Sequence, residues 1–349
     1  MRRILATMLL AIASFALLGC SQSEFKVDGE FTAYALSVTN NKPVLTTVSV
    51  TIEKGKIAGY NIDVRQGYRN ATTNDQGTVE TSDDTTTYAF GWNELTKKEL
   101  GFNYKMFYYQ YVGTLEDVST ARIEGYQEYL TANNLLEWHQ QAALLEQYWL
   151  ENGLDDTIVD ENGDFVNVAG VSVSNENYLE LAKQAVELAR AGEFQAVVCS
   201  GTDLYIASMT VANGSVSNLV LDVQQSTKST TLGTFEWKEH TKQQYRFDYK
   251  MHYNAYVATL DDVSTASIEG YEGWLTENNR LEWFEQADLI TDYIMQHGWD
   301  GTLQSIHGDG VSLDGINVLD GMSGVSIATD SHFEVLNLLY SDVGQGKLE

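Results

Sequence analysis

Tyr104 to Gly153 reads YKMFYYQYVGTLEDVSTARIEGYQEYLTANNLLEWHQQAALLEQYWLENG, and Tyr249 to Gly298 reads YKMHYNAYVATLDDVSTASIEGYEGWLTENNRLEWFEQADLITDYIMQHG. At this constant offset of 145, 29 of the 50 positions are identical, which makes the chain an internal duplication. Working outward, the match continues with altered offsets. Upstream, Phe31 and Thr46 to Val64 correspond to Phe194 and Tyr205 to Val223. Each is a pair of alternating strands around a turn dipeptide, Lys54-Gly55 or Asn213-Gly214, suited to a hairpin. Downstream, Ala169-Gly170-Val171-Ser172-Val173 matches Ser323-Gly324-Val325-Ser326-Ile327, and each precedes an amphipathic helical pattern.

Each repeat therefore reads as a hairpin, a loop, an aromatic segment, a helix over about 134–152 (279–297), a turn and a closing helix. Strands first and helices later predict an α+β fold: two tandem modules, each an antiparallel sheet with packed helices. The Thr/Asn/Asp/Gly-rich stretch from Tyr68 to Thr87, present only in repeat 1, reads as an exposed loop. Gly192, just past the first closing helix, is the usual helix stop. It separates module 1 (27–191) from module 2 (192–349), and each half is expected to bury a core of its own.

The 349 residues carry 49 Asp+Glu against 21 Lys+Arg, a formal net charge of -28. Such a surface repels phosphate backbones, so nucleic acid is excluded as a partner. Arg2-Arg3, the apolar run Ile4 to Leu18 and Gly19-Cys20 read as a signal peptide over 1–19. Leu17-Leu18-Gly19-Cys20 resembles a bacterial lipobox, which implies lipidation of Cys20, a tether over 20–26 and attachment to the outer face of the cytoplasmic membrane. The other cysteine, Cys199, stands in an apolar β-like run and reads as a small core residue.

GxSxG, HExxH and Walker motifs are absent, and the six His are scattered: His139 aligns with Phe284 and His252 with Phe107. No catalytic or metal-ligating set emerges. The element shared by both repeats that offers chemistry is the Gly-Val-Ser turn. Its glycine allows close backbone approach, its serine supplies a hydroxyl, and a helix N-terminus downstream suits a phosphate. Spacing alone favours reading Ser172 and Ser326 as helix caps.

DGMSGVSI, from Asp320 to Ile327, resembles the D-x-x-[S/T]-G-A-[T/S] signature of the FMN-binding domain family. In that family a flavin transferase joins the hydroxyl residue to the phosphate of FMN. Asp28-Gly29-Glu30-Phe31, the Tyr-Lys-Met segments and Leu281 to Ala287 are similar to the family's lipid-anchored carriers of Gram-positive extracellular electron transfer. The resemblance spans residues 27–349 in two copies and implies two covalent FMN groups. The match is fuller at Ser326, where Asp320, Ser323 and Gly324 are in place. At Ser172, Gly170 is kept while Val166 and Ala169 replace the family's Asp and Ser/Thr. Val171 and Val325 replace its Ala, and Lys105 and Lys250 stand where the family has glycine between Tyr and Met.

Tyr104, Met106, Tyr108 and Tyr111, with Tyr249, Met251, Tyr253 and Tyr256, are candidate walls for an isoalloxazine ring, and Trp138 and Trp283 sit in the repeated helix. An ordinary aromatic core accounts for them too. What the resemblance implies is an electron carrier rather than a substrate-converting enzyme, relaying electrons from a membrane quinone-linked donor to external acceptors. The alternative is a ligand-binding or adhesion lipoprotein on the same fold, without flavin.

Overall fold

The computed structural model describes residues 24–75, 84–301 and 325–343. Strands β1 (Gly29–Thr39), β2 (Lys42–Glu53), β3 (Lys56–Asn74) and β4 (Thr85–Trp92) form an antiparallel sheet in sequence order. Helices α1 (Lys97–Leu100), α2 (Tyr108–Val112), α3 (Ile123–Ala132), α4 (Trp138–Asn152) and α5 (Tyr178–Ala191) follow. The second repeat opens with β5 (Glu193–Ser200), β6 (Asp203–Ala212) and β7 (Ser215–Gln224), then a separate ribbon of β8 (Ser226–Ser229) and β9 (Thr234–Trp237). It closes with α6 (Lys242–Tyr245), α7 (Tyr253–Val257), α8 (Ile268–Glu277), α9 (Trp283–His297) and α10 (Asp330–Asp342). The class is α+β, as the order of elements requires.

Both hairpin turns have positive φ at their two central residues, 54° and 71° at Lys54-Gly55 and 54° and 80° at Asn213-Gly214, so their twist matches that of the strands they join. Asp28 fixes the first turn, its carboxylate accepting the N–H groups of Lys54 and Gly55 at 2.8 Å each. Along β2, Val48, Val50 and Ile52 point to one face and are buried, with Phe31 and Ala33 of β1 and Ile62 and Val64 of β3 beside them. Helices α4 and α5 cover that face, while α9 and α10 cover the second sheet. Gly192 ends α5 in a left-handed conformation, φ 72°, and β5 starts at the next residue.

Two expectations are corrected. Tyr68 to Thr87 is not all loop: Tyr68 to Asn74 continue β3 and pair with β4 from Gly91 back to Thr85. Threonines favour a pleated surface, and here they continue a ladder already formed upstream. Nor does each half bury a separate core. One cluster of buried side chains runs through both repeats, because equivalent residues meet at the seam. Phe31 stacks on Phe194 with centroids 4.1 Å apart, and Phe90 lies 5.9 Å from Phe235 and Trp92 6.0 Å from Trp237. Leu45 and Leu204, equivalent in the two hairpins, share a smaller cluster. The repeats are thus related by an approximate two-fold whose contact is self-complementary, in the manner of an isologous dimer. The sequence equivalence was visible; that like would pack on like was not.

Candidate functional site

The site in each repeat is built on the first turn of the long helix, α4 or α9. Glu137 and Glu282 sit at the N-caps, fully buried, each in a capping box, and each carboxylate gathers several donors. Glu137 accepts the N–H of Met106 (3.1 Å), the N–H of Trp138 (2.8 Å) and the hydroxyl of Tyr126 (2.5 Å). Glu282 accepts the N–H of Met251 (3.1 Å), the N–H of Trp283 (2.8 Å) and the hydroxyl of Tyr271 (2.6 Å). This carboxylate binds the Tyr-Lys-Met segment to the helix and starts the helix at 138, later than the sequence suggests.

One turn on, Gln141 and Gln286 are 1% exposed and tie the two sequence-predicted pieces together. The Oε1 of Gln141 accepts the N–H of Ser172 (2.6 Å), its hydroxyl (3.2 Å) and the N–H of Val173 (3.0 Å). Its Nε2 donates to the Leu136 carbonyl at 2.7 Å and lies 3.7 Å from the Met106 sulfur. Gln286 repeats this: Ser326 N–H at 2.6 Å, Ser326 hydroxyl at 3.3 Å, Leu281 carbonyl at 2.9 Å and Met251 sulfur at 3.5 Å. Met106 and Ser172 thus contact one glutamine, as do Met251 and Ser326. Both serines remain exposed, so each hydroxyl is fixed in position yet open to solvent. Gly170 has φ 85°, and a Cβ there would come within 3.0 Å of Leu136 and Leu144.

The serines are not helix caps. Helix α5 begins at Tyr178 after Asn177, and α10 at Asp330 after Thr329, so the downstream helix ends lie several residues from Ser172 and Ser326. The serine hydroxyls bond to glutamine because α4 and α9 present a buried acceptor beside the turn. Tyr108 and Tyr111 also depart from expectation, clustering with Tyr126 and Leu130, as Tyr253 and Tyr256 do with Tyr271 and Leu275. Tyr104 and Tyr249 stay with the main core beside Met106 and Met251. Asp320, Ser323, Gly324 and Cys20 lie outside the described residues.

A cation completes each site and escaped the sequence reading. The Nζ of Lys97 lies 5.1 Å from the Tyr104 ring centroid and 5.2 Å from that of Trp138. Lys242 lies 4.9 Å from Tyr249 and 5.0 Å from Trp283. Ammonium groups are held over aromatic faces by the ring quadrupole. Burial lowers the pKa of both lysines, that of Lys242 to about 8. The signal was present: Thr96-Lys97 and Thr241-Lys242 keep the offset of 145 just upstream of the aligned window.

Lys105 and Lys250 both have φ 61°, the left-handed region that glycine enters freely, and each Nζ covers the ring of Tyr108 or Tyr253. Cys199 is half-buried at the edge of the smaller seam cluster, and burial raises its thiol to about 12, which suits a packing residue. His139 lies edge-on to Phe102, and His252 meets the Leu281 carbonyl at 3.2 Å.

The arrangement thus has two geometrically matched sites: an exposed, held hydroxyl, a thioether, a tyrosine–tryptophan corner and a lysine. It defines an α+β chain in which one site geometry occurs twice. No protein-family model matches the chain, and no curated protein or solved structure matches it significantly.

Proposed function

We propose that this protein is an extracellular electron carrier with FMN joined by phosphoester to Ser326 and to Ser172. In this reading Cys20 carries lipid and holds the protein on the outer face of the cytoplasmic membrane. A flavin transferase loads it, a membrane quinone-linked donor reduces it and external acceptors oxidise it. The observation that carries the reading is the buried glutamine that joins the acceptor serine to the Tyr-Lys-Met segment, repeated in both modules. Those residues suit a phosphorylated flavin. The hydroxyl accepts the phosphoryl group, the flat aromatic and thioether walls suit a tricyclic ring, and lysine favours an anionic ligand. FMN supplies the redox chemistry when bound; the chain tethers it, orients it and sets its electrostatic surroundings.

Intact mass of the full chain, coexpressed with a flavin transferase, tests this directly. Two FMN additions are expected. Ser326→Ala removes one and Ser172→Ala the other, each costing about 1 kcal/mol of stability for the lost hydroxyl bond to glutamine. Colourless protein with unmodified peptides around both serines overturns the reading and leaves a ligand-binding lipoprotein.

A further inference from the structure

The duplication supplies its own comparison, and an exposed stretch has changed less than a buried one. From Thr114 to Tyr126, 11 of 13 residues recur in Thr259 to Tyr271, whereas the long helices α4 and α9, each with a buried face, share 5 of 15. The retained stretch is mostly open to solvent, including all four residues of Asp117-Val118-Ser119-Thr120 and of Asp262-Val263-Ser264-Thr265. Packing ordinarily holds a core constant and leaves surface loops free to vary, so a retained exposed loop points to a task outside the fold.

Most of the retained side chains have a local role. The Asp117 carboxylate accepts the N–H of Ser119 at 2.9 Å and the Asp117 carbonyl accepts the hydroxyl of Thr120 at 2.6 Å. Asp262 repeats both bonds, at 2.9 and 2.7 Å. Leu115 and Ala121 pack on Tyr111 and Tyr126, and a Cβ at Gly125 would fall 2.5 Å from the Tyr111 hydroxyl. The side chains of Val118 and Val263 fill no such role among the described residues. They are 58% and 62% exposed, each in a single 3-10 turn that its own hydrogen bonds fix.

The surrounding charge selects the partner. Thr114 to Ala132 holds four carboxylates against Arg122 alone, and Thr259 to Glu277 holds five carboxylates and no cation. A rigidly presented apolar side chain amid carboxylates fits a protein with an apolar socket rimmed by Lys and Arg. A second copy of this strongly acidic chain is disfavoured on the same ground. The turn also belongs to a lobe braced against the serine site. The Tyr126 hydroxyl and the Met106 N–H share the Glu137 carboxylate, and Met106 and Ser172 contact Gln141. In module 2 the same contacts run from Tyr271 through Glu282, Met251 and Gln286 to Ser326.

Resting on the flavin reading above, we propose that this valine-bearing acidic turn is the docking epitope of the flavin transferase, used once in each module. An electron donor or acceptor has only to meet one module, whereas a transferase has to visit both serines, and two matching epitopes serve that. The flavin arrives as a flavin dinucleotide. The serine Oγ–P bond forms as the phosphoanhydride bond breaks, the nucleoside monophosphate leaves and the hydroxyl proton passes to solvent.

Loading of the purified full chain by flavin transferase and flavin adenine dinucleotide, followed by mass at the Ser172 and Ser326 peptides, tests the proposal. Val118→Asp should slow loading of Ser172 by about ten-fold or more and leave Ser326 at the wild-type rate. Val263→Asp should do the reverse, so each molecule carries its own control. Glu124→Lys and Glu269→Lys should act in the same module-specific way, and they keep the test open if an aspartate disturbs the turn. Added salt should slow loading of both serines. Wild-type rates at both serines in all four variants overturn the proposal alone. So does unchanged loading with slower reduction by the membrane donor, which would assign the turn to that donor. Wild-type protein without flavin by mass overturns the proposed function and the proposal with it.

Discussion

Arg246 occupies φ 50° and ψ −125°, a backbone region that side chains with a Cβ rarely enter. At the equivalent position repeat 1 has Gly101 at φ 52° and ψ −126°, so the same turn is made once with glycine and once under strain. The guanidinium lies 4.0 Å from the centroid of the Phe284 ring, which offsets part of the cost. Arg246→Gly should therefore stabilise the protein by about 1 kcal/mol, since strain of about 1–3 kcal/mol outweighs an exposed cation–π contact of about 0.5–1. Denaturant unfolding monitored by tryptophan fluorescence measures it; a lower midpoint contradicts the account. Asp342 at the end of α10 is a second residue with a measurable signature. Burial, then the nearby Glu30, pushes its carboxyl up to about 8. Between about pH 4, where an unfolded aspartate titrates, and pH 8 the folded state retains a proton that the unfolded chain has released. Its contribution thus lowers stability as pH rises through that window and levels off above it. Asp342→Asn should flatten the decline, read as melting temperature against pH in the two proteins.

At the scale of elements, Gln141 binds helix α4 to the serine turn through two backbone N–H groups. Gln141→Leu keeps the volume and removes the acceptor, leaving buried donors unpaired at a cost of about 1–3 kcal/mol. Amide exchange at Ser172 and Val173 should accelerate, while Gln141→Glu, which still accepts, should retain much of the protection. Unchanged exchange in the leucine variant would mean that the turn is held by something else. The hairpins, the long helices and the Gly192 stop were legible because turn dipeptides and helical periodicity are local signals. The glutamine and glutamate were less so, being polar residues on an otherwise apolar helix face. Their identity in both repeats, where neighbours such as His139 and Phe284 diverge, was the available clue. The β3–β4 ladder was misread because its threonines and asparagines have the composition of a loop, and only pairing with a partner strand makes them a sheet.

Across the whole molecule, the seam joins what the duplication made twice. Gly29 shows how closely the halves approach: a Cβ there would fall 2.6 Å from the Asp342 carbonyl and 2.7 Å from the Phe194 ring. Phe194→Ala should cost about 3–5 kcal/mol, as for other large buried aromatics. Because Phe194 stacks on the other repeat, the loss should appear as one cooperative transition of the entire chain rather than as melting of one module. Separate halves, cut at Gly192, should expose Phe31, Phe90 and Trp92 or their counterparts and associate in solution, which sedimentation would reveal; two stable monomers would mean that the seam is dispensable. With β5 starting immediately after Gly192, no flexible spacer separates the partners. Their encounter is intramolecular and their effective concentration is fixed by covalent geometry, so the pairing does not weaken on dilution as that of two free half-chains would.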